Sequence, residues 1–377
     1  MTEKDEAIMG RRSFLKHAAA LAIASTSFGQ ICAWGQTNGD APLRERAARK
    51  GLIYGSAVNY GALTRDTKLA ASVVRECGIV VPENELKWEA LRPSLDKFDF
   101  TQGDFILDFA KKNNILLRGH TLVWHQALPK WFETTVNSQN AEQVLRNHIT
   151  TAAGHYAGKM HSWDVVNEAI APWDKDKQSD GMRNSPWYKL LGPKYIDIAF
   201  KAAAAADPKA ILVLNQDHLE HDTKIDAQSR AATLRLLKRL KASATPVHAL
   251  GIESHLSMDG EIFSPGVFRT FLKDVAELGL KIMITELDVT DIMFSQNINK
   301  RDKLVANKYE EFLSTALQEK AVIGVLTWGL SDKYTWLSKY MPRDDKAAVR
   351  PLPLDENFNR KPAWNAIAGA FDKAENR

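Results

Sequence analysis

Cysteine is nearly missing from this chain. There are two in 377 residues, Cys32 and Cys77, which excludes a disulfide framework and a Cys-rich metal site. Neither sign of charge is in excess. Fifty basic against 46 acidic side chains give a net charge of +4, evenly spread, which argues against a nucleic-acid partner or an anionic membrane surface. No apolar run reaches the roughly 20 residues that a bilayer span requires. The first strand-like run lacks a G-x-G-x-x-G turn, no H-E-x-x-H occurs, and no repeat array, low-complexity segment or Pro/Ser/Gly-rich linker follows residue 40. What is present is an ordinary globular balance, 45% hydrophobic and 25% charged.

Near the start, Arg11-Arg12-Ser13-Phe14-Leu15-Lys16 precedes a weakly apolar stretch from Ala18 to Ala24, followed by Ser and Thr. Paired arginines, Phe-Leu-Lys and a short, moderate apolar region resemble a twin-arginine export signal. The rival reading is a frayed basic helix of a cytoplasmic protein. The leader is placed at residues 1–36, with cleavage between Ala33 and Asp40. Gly29-Gln30-Ile31-Cys32 does not read as a lipoprotein box, so no lipid anchor is expected. The exported chain would keep Cys77 alone, as a small buried hydrophobe, and would be periplasmic or secreted.

From residue 52 one pattern recurs. A short apolar or β-branched run ends in polar or aromatic residues, and a stretch with helical spacing follows. The runs are Leu52–Val58, Gly78–Glu83, Ile115–Trp124, Ser162–Glu168, Ala210–Gln216, Ala249–Leu256, Lys281–Val289 and Ala321–Gly329. Helical candidates include Asp66–Glu76, Ala141–Ala157, Lys194–Ala206 and Pro362–Phe371. Strand-then-helix repeated eight times predicts an α/β fold with a parallel sheet closed as a single-domain (β/α)8 TIM barrel over residues 45–375. An open doubly wound sheet would gather its polar residues at one switch point; here they end nearly every run.

Those strand ends carry the chemistry. Trp163-Asp164-Val165-Val166-Asn167-Glu168-Ala169 ends one run with an Asn-Glu pair, and Ile284-Thr285-Glu286-Leu287-Asp288-Val289 ends another with two carboxylates pointing to one face. A single strand-end Glu is often a solvated loop residue or one arm of a salt bridge. Two that converge on a barrel mouth suit glycoside hydrolysis. One carboxyl must be protonated to release the leaving oxygen, and the other ionised to face positive charge at the anomeric carbon.

Together, in this order, these two segments resemble the acid/base and nucleophile motifs of glycoside hydrolase family 10, the retaining endo-β-1,4-xylanases, and the resemblance covers residues 45–375. It implies Glu168 as acid/base and Glu286 as nucleophile, with carboxyls roughly 5–5.5 Å apart as retention requires. It also implies sugar-binding roles for Glu83, Asn84 and Lys87 in Pro82-Glu83-Asn84-Glu85-Leu86-Lys87-Trp88, although Asn84 as a helix cap with Lys87 snorkelling remains open. His120 would bind substrate, Trp124 would pack on the sugar and His125 would be scaffold. Asn167 would bond the sugar 2-hydroxyl. Trp328 and Trp336 would wall the cleft, their apolar faces suiting pyranose C–H surfaces, unless they merely cap the barrel. His255 would bond the nucleophile and Asp288 would orient that His.

Three departures from the family pattern stand out. Glu253 occupies a position that is most often Gln, so a third carboxyl joins the pair, a proton should be shared, and the pH optimum is expected to be acid-shifted or narrowed. Gln216-Asp217 replaces an Asp-Tyr pair, which predicts weaker stacking on the leaving-group side. His125-Gln126-Ala127-Leu128-Pro129 lacks the usual Ser-Gln, which loosens the xylan expectation more than the glycosidase one. The expected partner is a xylan or xylo-oligosaccharide acted on by a monomer without cofactor, nucleic acid or, after export, membrane. Competing readings are another β-1,4-linked glycan, a metal-dependent hydrolase using His120, His125 and His255, and a non-catalytic glycan binder, which would need the tryptophans but not both glutamates.

Overall fold

Apolar runs of the expected positions pair side by side as strands. They are β1 (Ile53–Val58), β2 (Ile79–Pro82), β3 (Leu116–Gly119), β4 (Ser162–Asn167), β5 (Ile211–Gln216), β6 (Ala249–Ile252), β7 (His255–Leu256), β8 (Lys281–Val289) and β9 (Val322–Thr327). The computed structural model describes residues 40–377 except 175, 177, 258–261 and 294–295. The expected leader, with Arg11, Arg12 and Cys32, lies outside the described residues. Every ladder between named strands is parallel. The order β6-β5-β4-β3-β2-β1-β9-β8 closes on itself through a β6–β8 pairing, giving an eight-stave (β/α)8 barrel with β7 added beside the end of β8.

Helices alternate with the staves, among them Thr67–Glu76, Ala141–His155, Lys194–Ala206, Lys224–Ala242 and Ile298–Ala316. Local chemistry sets their starts. Asp66 accepts from the Lys68 and Leu69 N–H groups and caps Thr67–Glu76, whose Leu69 and Val73 then face the sheet. Among the described residues, no helix is long and apolar enough to cross a membrane.

Two sequence runs extend less far than expected. Ile115–Trp124 stays in the sheet only to Gly119, because the chain leaves the ladder at His120 while Leu122 and Asn167 continue single cross-links to Asp164 and Val123. Ala249–Leu256 breaks at Ser254, whose φ of 65° turns the backbone into the left-handed region before β7 resumes. That break serves the site, since β7 pairs His255 with Asp288 of β8.

The core has two layers. A large shell of apolar side chains lies between staves and helices, Cys77 among them as a fully buried thiol. Ala57, Ile79, Val81, Met283 and Leu326 form a second, smaller cluster. Buried Arg118 bonds Met283 of that cluster through its sulfur, bonds the Ser162 hydroxyl, and forms an ion pair with Asp164. A buried charge persists only with such partners.

Gly119 ends β3 against the face of Trp163, where a Cβ would lie 2.0 Å from a ring carbon. Trp163 is wholly buried and cannot yield. Gly119→Ala is therefore expected to destabilise the fold by about 1–3 kcal/mol through overpacking. An unchanged denaturant midpoint would refute it.

Candidate active site

The C-terminal ends of the staves open into a cleft of about 730 Å³. Twelve of the expected residues line it together: Glu83, Asn84, Lys87, His120, Trp124, Asn167, Glu168, Glu253, His255, Glu286, Trp328 and Trp336. Asp288 stands behind His255, and His125 lies 3.7 Å from Glu168 Oε2, too far for a hydrogen bond.

Glu286 is held by several polar groups. The Asn215 amide donates to its Oε1 at 2.8 Å, and His255 Nε2 meets its Oε2 at 3.3 Å. His255 Nδ1 faces Asp288 at 3.0 Å, and Trp336 Nε1 donates to the other Asp288 oxygen at 2.7 Å. Burial alone would strip the proton from His255, yet Asp288 and then Glu286 hold it well above the ordinary imidazole range. The reciprocal effect acts on Glu286. Burial pushes its carboxyl up, but the His255 hydrogen bond, His120 and Lys87 outweigh burial and leave it below the usual value.

Glu168 has the opposite balance. Its residue turns out of β4 with φ 52°, and its carboxyl accepts from Asn167 Nδ2 at 3.2 Å. Burial, then the Asp217 carboxylate, push it up to about 7, with Arg183 pulling the other way. Two glutamates facing one cleft thus differ in charge near neutrality. One can give a proton while the other stays ionised.

The remaining walls follow the same logic. His120 Nδ1 bonds Asp164 Oδ2 at 3.0 Å, which fixes the ring edge-on to Trp328 at 5.2 Å between centroids. Lys87 Nζ reaches Asn84 Oδ1 at 3.3 Å and sits 4.9 Å over the Trp124 ring. Lys87, not Asn84, occupies the cap position of the short helix Trp88–Leu91, and it makes no side-chain cap bond. Glu83 is raised by burial, with Lys87 offsetting part of it. Where an aromatic platform is missing, Asp217 and exposed His218 line the cleft, and Trp173 backs His218 with ring centroids 4.4 Å apart.

Four residues that organise the site were not singled out from the sequence. Asp164 orients His120; Asn215 donates to Asn167 Oδ1 and to Glu286 Oε1 at 2.8 Å, and the same nitrogen lies 3.3 Å from Glu253 Oε1. Glu220 accepts from the Ser254 and Leu219 N–H groups, tying the ends of β5 and β6. Arg183 reaches Glu168. Asp164 and Asn215 had a visible signal, a polar residue inside an apolar strand run, which must be buried with a partner.

Among the described residues, two groups of side chains place potential metal-donor atoms within 4.8 Å of one another: Glu253, His255 and Glu286, and Glu220, His221 and Asp226. In the first, both His255 nitrogens already face carboxylates and the ring holds its proton, so it offers no lone pair. In the second, Glu220 and Asp226 are engaged by backbone N–H groups.

Residues 42–370 match the family described as Glycosyl hydrolase family 10. The chain is 39% identical to endo-1,4-beta-xylanase A of Caldicellulosiruptor sp. (strain Rt8B.4) over 76% of its own length, though this spans only 43% of that protein. It is 32% identical to endo-1,4-beta-xylanase B of Thermotoga neapolitana over 87% of this chain and 91% of that one. Among solved structures, xylanase 10B from Thermotoga petrophila RKU-1 in complex with xylobiose superposes with a TM-score of 0.80 at 33% identity, covering 89% of this chain and 98% of that one.

Glu253 supplies a test of the electrostatics. Burial, then Glu286 and Glu168, hold its proton well above the ordinary carboxyl range. A carboxyl that keeps its proton longer in the folded chain favours folding at low pH, and this contribution is lost as pH rises above its unfolded value of about 4.3. Glu253→Gln is therefore expected to gain stability over the parent as pH rises from about 4 to 8. Denaturant midpoints differing by the same amount across that range would rule it out.

Proposed function

Because the chain belongs to glycosyl hydrolase family 10, we propose that it is an endo-1,4-β-xylanase cleaving internal xylosidic bonds with retention of configuration. What carries this reading is the pairing of two glutamates in one cleft with opposite electrostatic settings, buried Glu286 held below the usual carboxyl value and partly exposed Glu168 pushed above it. Ionised Glu286 attacks the anomeric carbon while Glu168 protonates the departing glycosidic oxygen, leaving a covalent glycosyl-enzyme. Glu168, now ionised, takes a proton from water, which releases the sugar and restores both groups.

The surrounding residues have roles suited to this sequence. Protonated His255, braced by Asp288, keeps Glu286 ionised and directed, as the third member of a triad orients its partner. Asn167 stands beside Glu168, positioned for the sugar 2-hydroxyl, a bond that strengthens as the oxocarbenium ion develops. Glu83, Asn84, Lys87 and His120 offer directional hydrogen bonds to ring hydroxyls, and Trp124, Trp328 and Trp336 offer apolar faces. Glu253, as a neutral acid, can donate where the family more often has an amide.

The twin-arginine-like leader over residues 1–36 supports export to the periplasm or beyond, with the catalytic barrel over residues 45–375 acting as a monomer. Asp217, which lines the cleft where a stacking aromatic was expected, and the Gln126-Ala127 departure near the bond favour a second substrate reading, another β-1,4-linked glycan.

Digestion of arabinoxylan, glucuronoxylan and mixed-linkage β-glucan, with anomers resolved by NMR at early times, tests both readings. Xylans are expected to be cleaved fastest and the first products to be β-anomers, unaffected by chelation. Inverted products or preferred cleavage of β-glucan would overturn it. Glu168→Ala is expected to lower xylan turnover by about 10²–10⁴-fold, the scale of general acid–base help. Glu253→Gln is expected to widen the pH range of hydrolysis on its alkaline side, since it removes a carboxyl whose ionisation would crowd the pair; an unchanged profile would count against that.

A further inference from the structure

Fifteen residues beyond Glu168 the chain returns beneath it. The Arg183 backbone N–H donates to Ala169 O at 2.8 Å, and its Nε donates to the Glu168 carbonyl at 2.8 Å. One terminal nitrogen then lies 3.4 Å from Glu168 Oε2 and 3.9 Å from Asp217 Oδ2. The guanidinium is 12% exposed and stands over the Trp173 ring, so it is tethered at several points. Asp217 follows β5 directly, and its Oδ1 accepts from Gln216 Nε2. A single cation therefore sits between the carboxyl of the residue read as acid/base and a second carboxyl.

The other groups around Glu168 leave this pair as its distinctive influence. His125, from the segment after β3, is held neutral because burial depresses it to about 3. Asn167 on β4 is uncharged. Glu253 after β6 keeps its proton, and Glu286 on β8 is the ionised partner of the reaction. Arg183 and Asp217 thus act in opposite senses on one group. Asp217 is itself pushed up to about 7 by burial, with Arg183 pulling it down and Glu220 adding to the rise, so it titrates alongside Glu168. When ionised it favours protonated Glu168, needed for the first step, while the cation favours ionised Glu168, needed for the second.

We propose that Arg183 and Asp217 are a matched pair of positioning residues that poise Glu168 between its acid and base roles. This rests on the reading of Glu168 as acid/base in a retaining glycosidase. Their opposed effects are consistent with a carboxyl that ends near neutrality. The leaving-group wall exchanges a stacking surface for a device acting on proton transfer.

The test compares Arg183→Met, Arg183→Lys and Asp217→Asn with the parent chain, on a xylo-oligosaccharide and on dinitrophenyl xylobioside, whose leaving group departs without acid help. The alkaline limb of kcat/KM on the oligosaccharide is expected to move up in Arg183→Met and down in Asp217→Asn, with Arg183→Lys near the parent. Oligosaccharide kcat is expected to fall roughly tenfold in Arg183→Met and Asp217→Asn, while the burst of dinitrophenol from dinitrophenyl xylobioside, which reads the first step alone, slows less than about threefold. Limbs that move together or stay put, or equal losses on both substrates, would overturn the proposal. A parent chain that hydrolyses neither substrate would instead overturn the reading beneath it. Should Arg183→Met fail to fold, a limb moved down in Asp217→Asn with Arg183→Lys at the parent value upholds the proposal, and a limb that Asp217→Asn leaves in place overturns it.

Discussion

One buried amide governs the centre of this molecule. Asn215 Nδ2 carries two hydrogens but faces three acceptors: Asn167 Oδ1, Glu286 Oε1 and Glu253 Oε1. Thr285 fixes the other end of the amide through Asn215 Oδ1 at 2.7 Å, and Gly251 leaves the room, since a Cβ there would lie 2.1 Å from that oxygen. The amide therefore cannot rotate to serve all three. The two contacts at 2.8 Å take its hydrogens, and Glu253, at 3.3 Å, is the carboxyl left to supply its own. A steric vacancy on β6 thus becomes an assignment of protonation on a neighbouring side chain.

The rest of the cleft works in the same low-dielectric surroundings, where a single charge counts heavily and an unpaired one is costly. The Trp336–Asp288–His255–Glu286 chain places alternating partners along one line and ends on an ionised carboxylate. Across the cleft, Glu168 meets Arg183 and Asp217 instead, and burial raises its carboxyl to about 7. Two identical side chains on one barrel rim therefore differ because of what stands behind each of them.

Much of this was readable from the sequence. Eight apolar runs separated by helical spacing required a closed parallel sheet, and glutamates at run ends required a shared mouth, because all parallel strands deliver their C-terminal ends to the same side. The details that escaped have a physical cause. The exits at His120 and Ser254 depend on backbone dihedrals that no side-chain pattern reports, so the apolar pattern runs past the end of two strands. Arg183 carries no signal in the sequence because its partner comes from another stave: Asp217 lies 34 residues away, and the two meet only in the folded chain. Asn215 and Asp164 carried a signal, hydrophilic residues inside strand interiors, but their several partners appear only when the ring closes.

Three successive staves, β4, β5 and β6, hand over to their loops through residues in the left-handed region: Glu168, His218 and Ser254, with φ of 52°, 52° and 65°. None is glycine, the residue that would occupy that region most easily, and each such conformation costs on the order of 1–2 kcal/mol. At His218 and Ser254 a glycine would relieve this tension and make the scaffold hardier. At Glu168 the same relief would delete the reactive carboxyl. Of these three stave exits, two are therefore open to such smoothing and one is barred by the reaction itself.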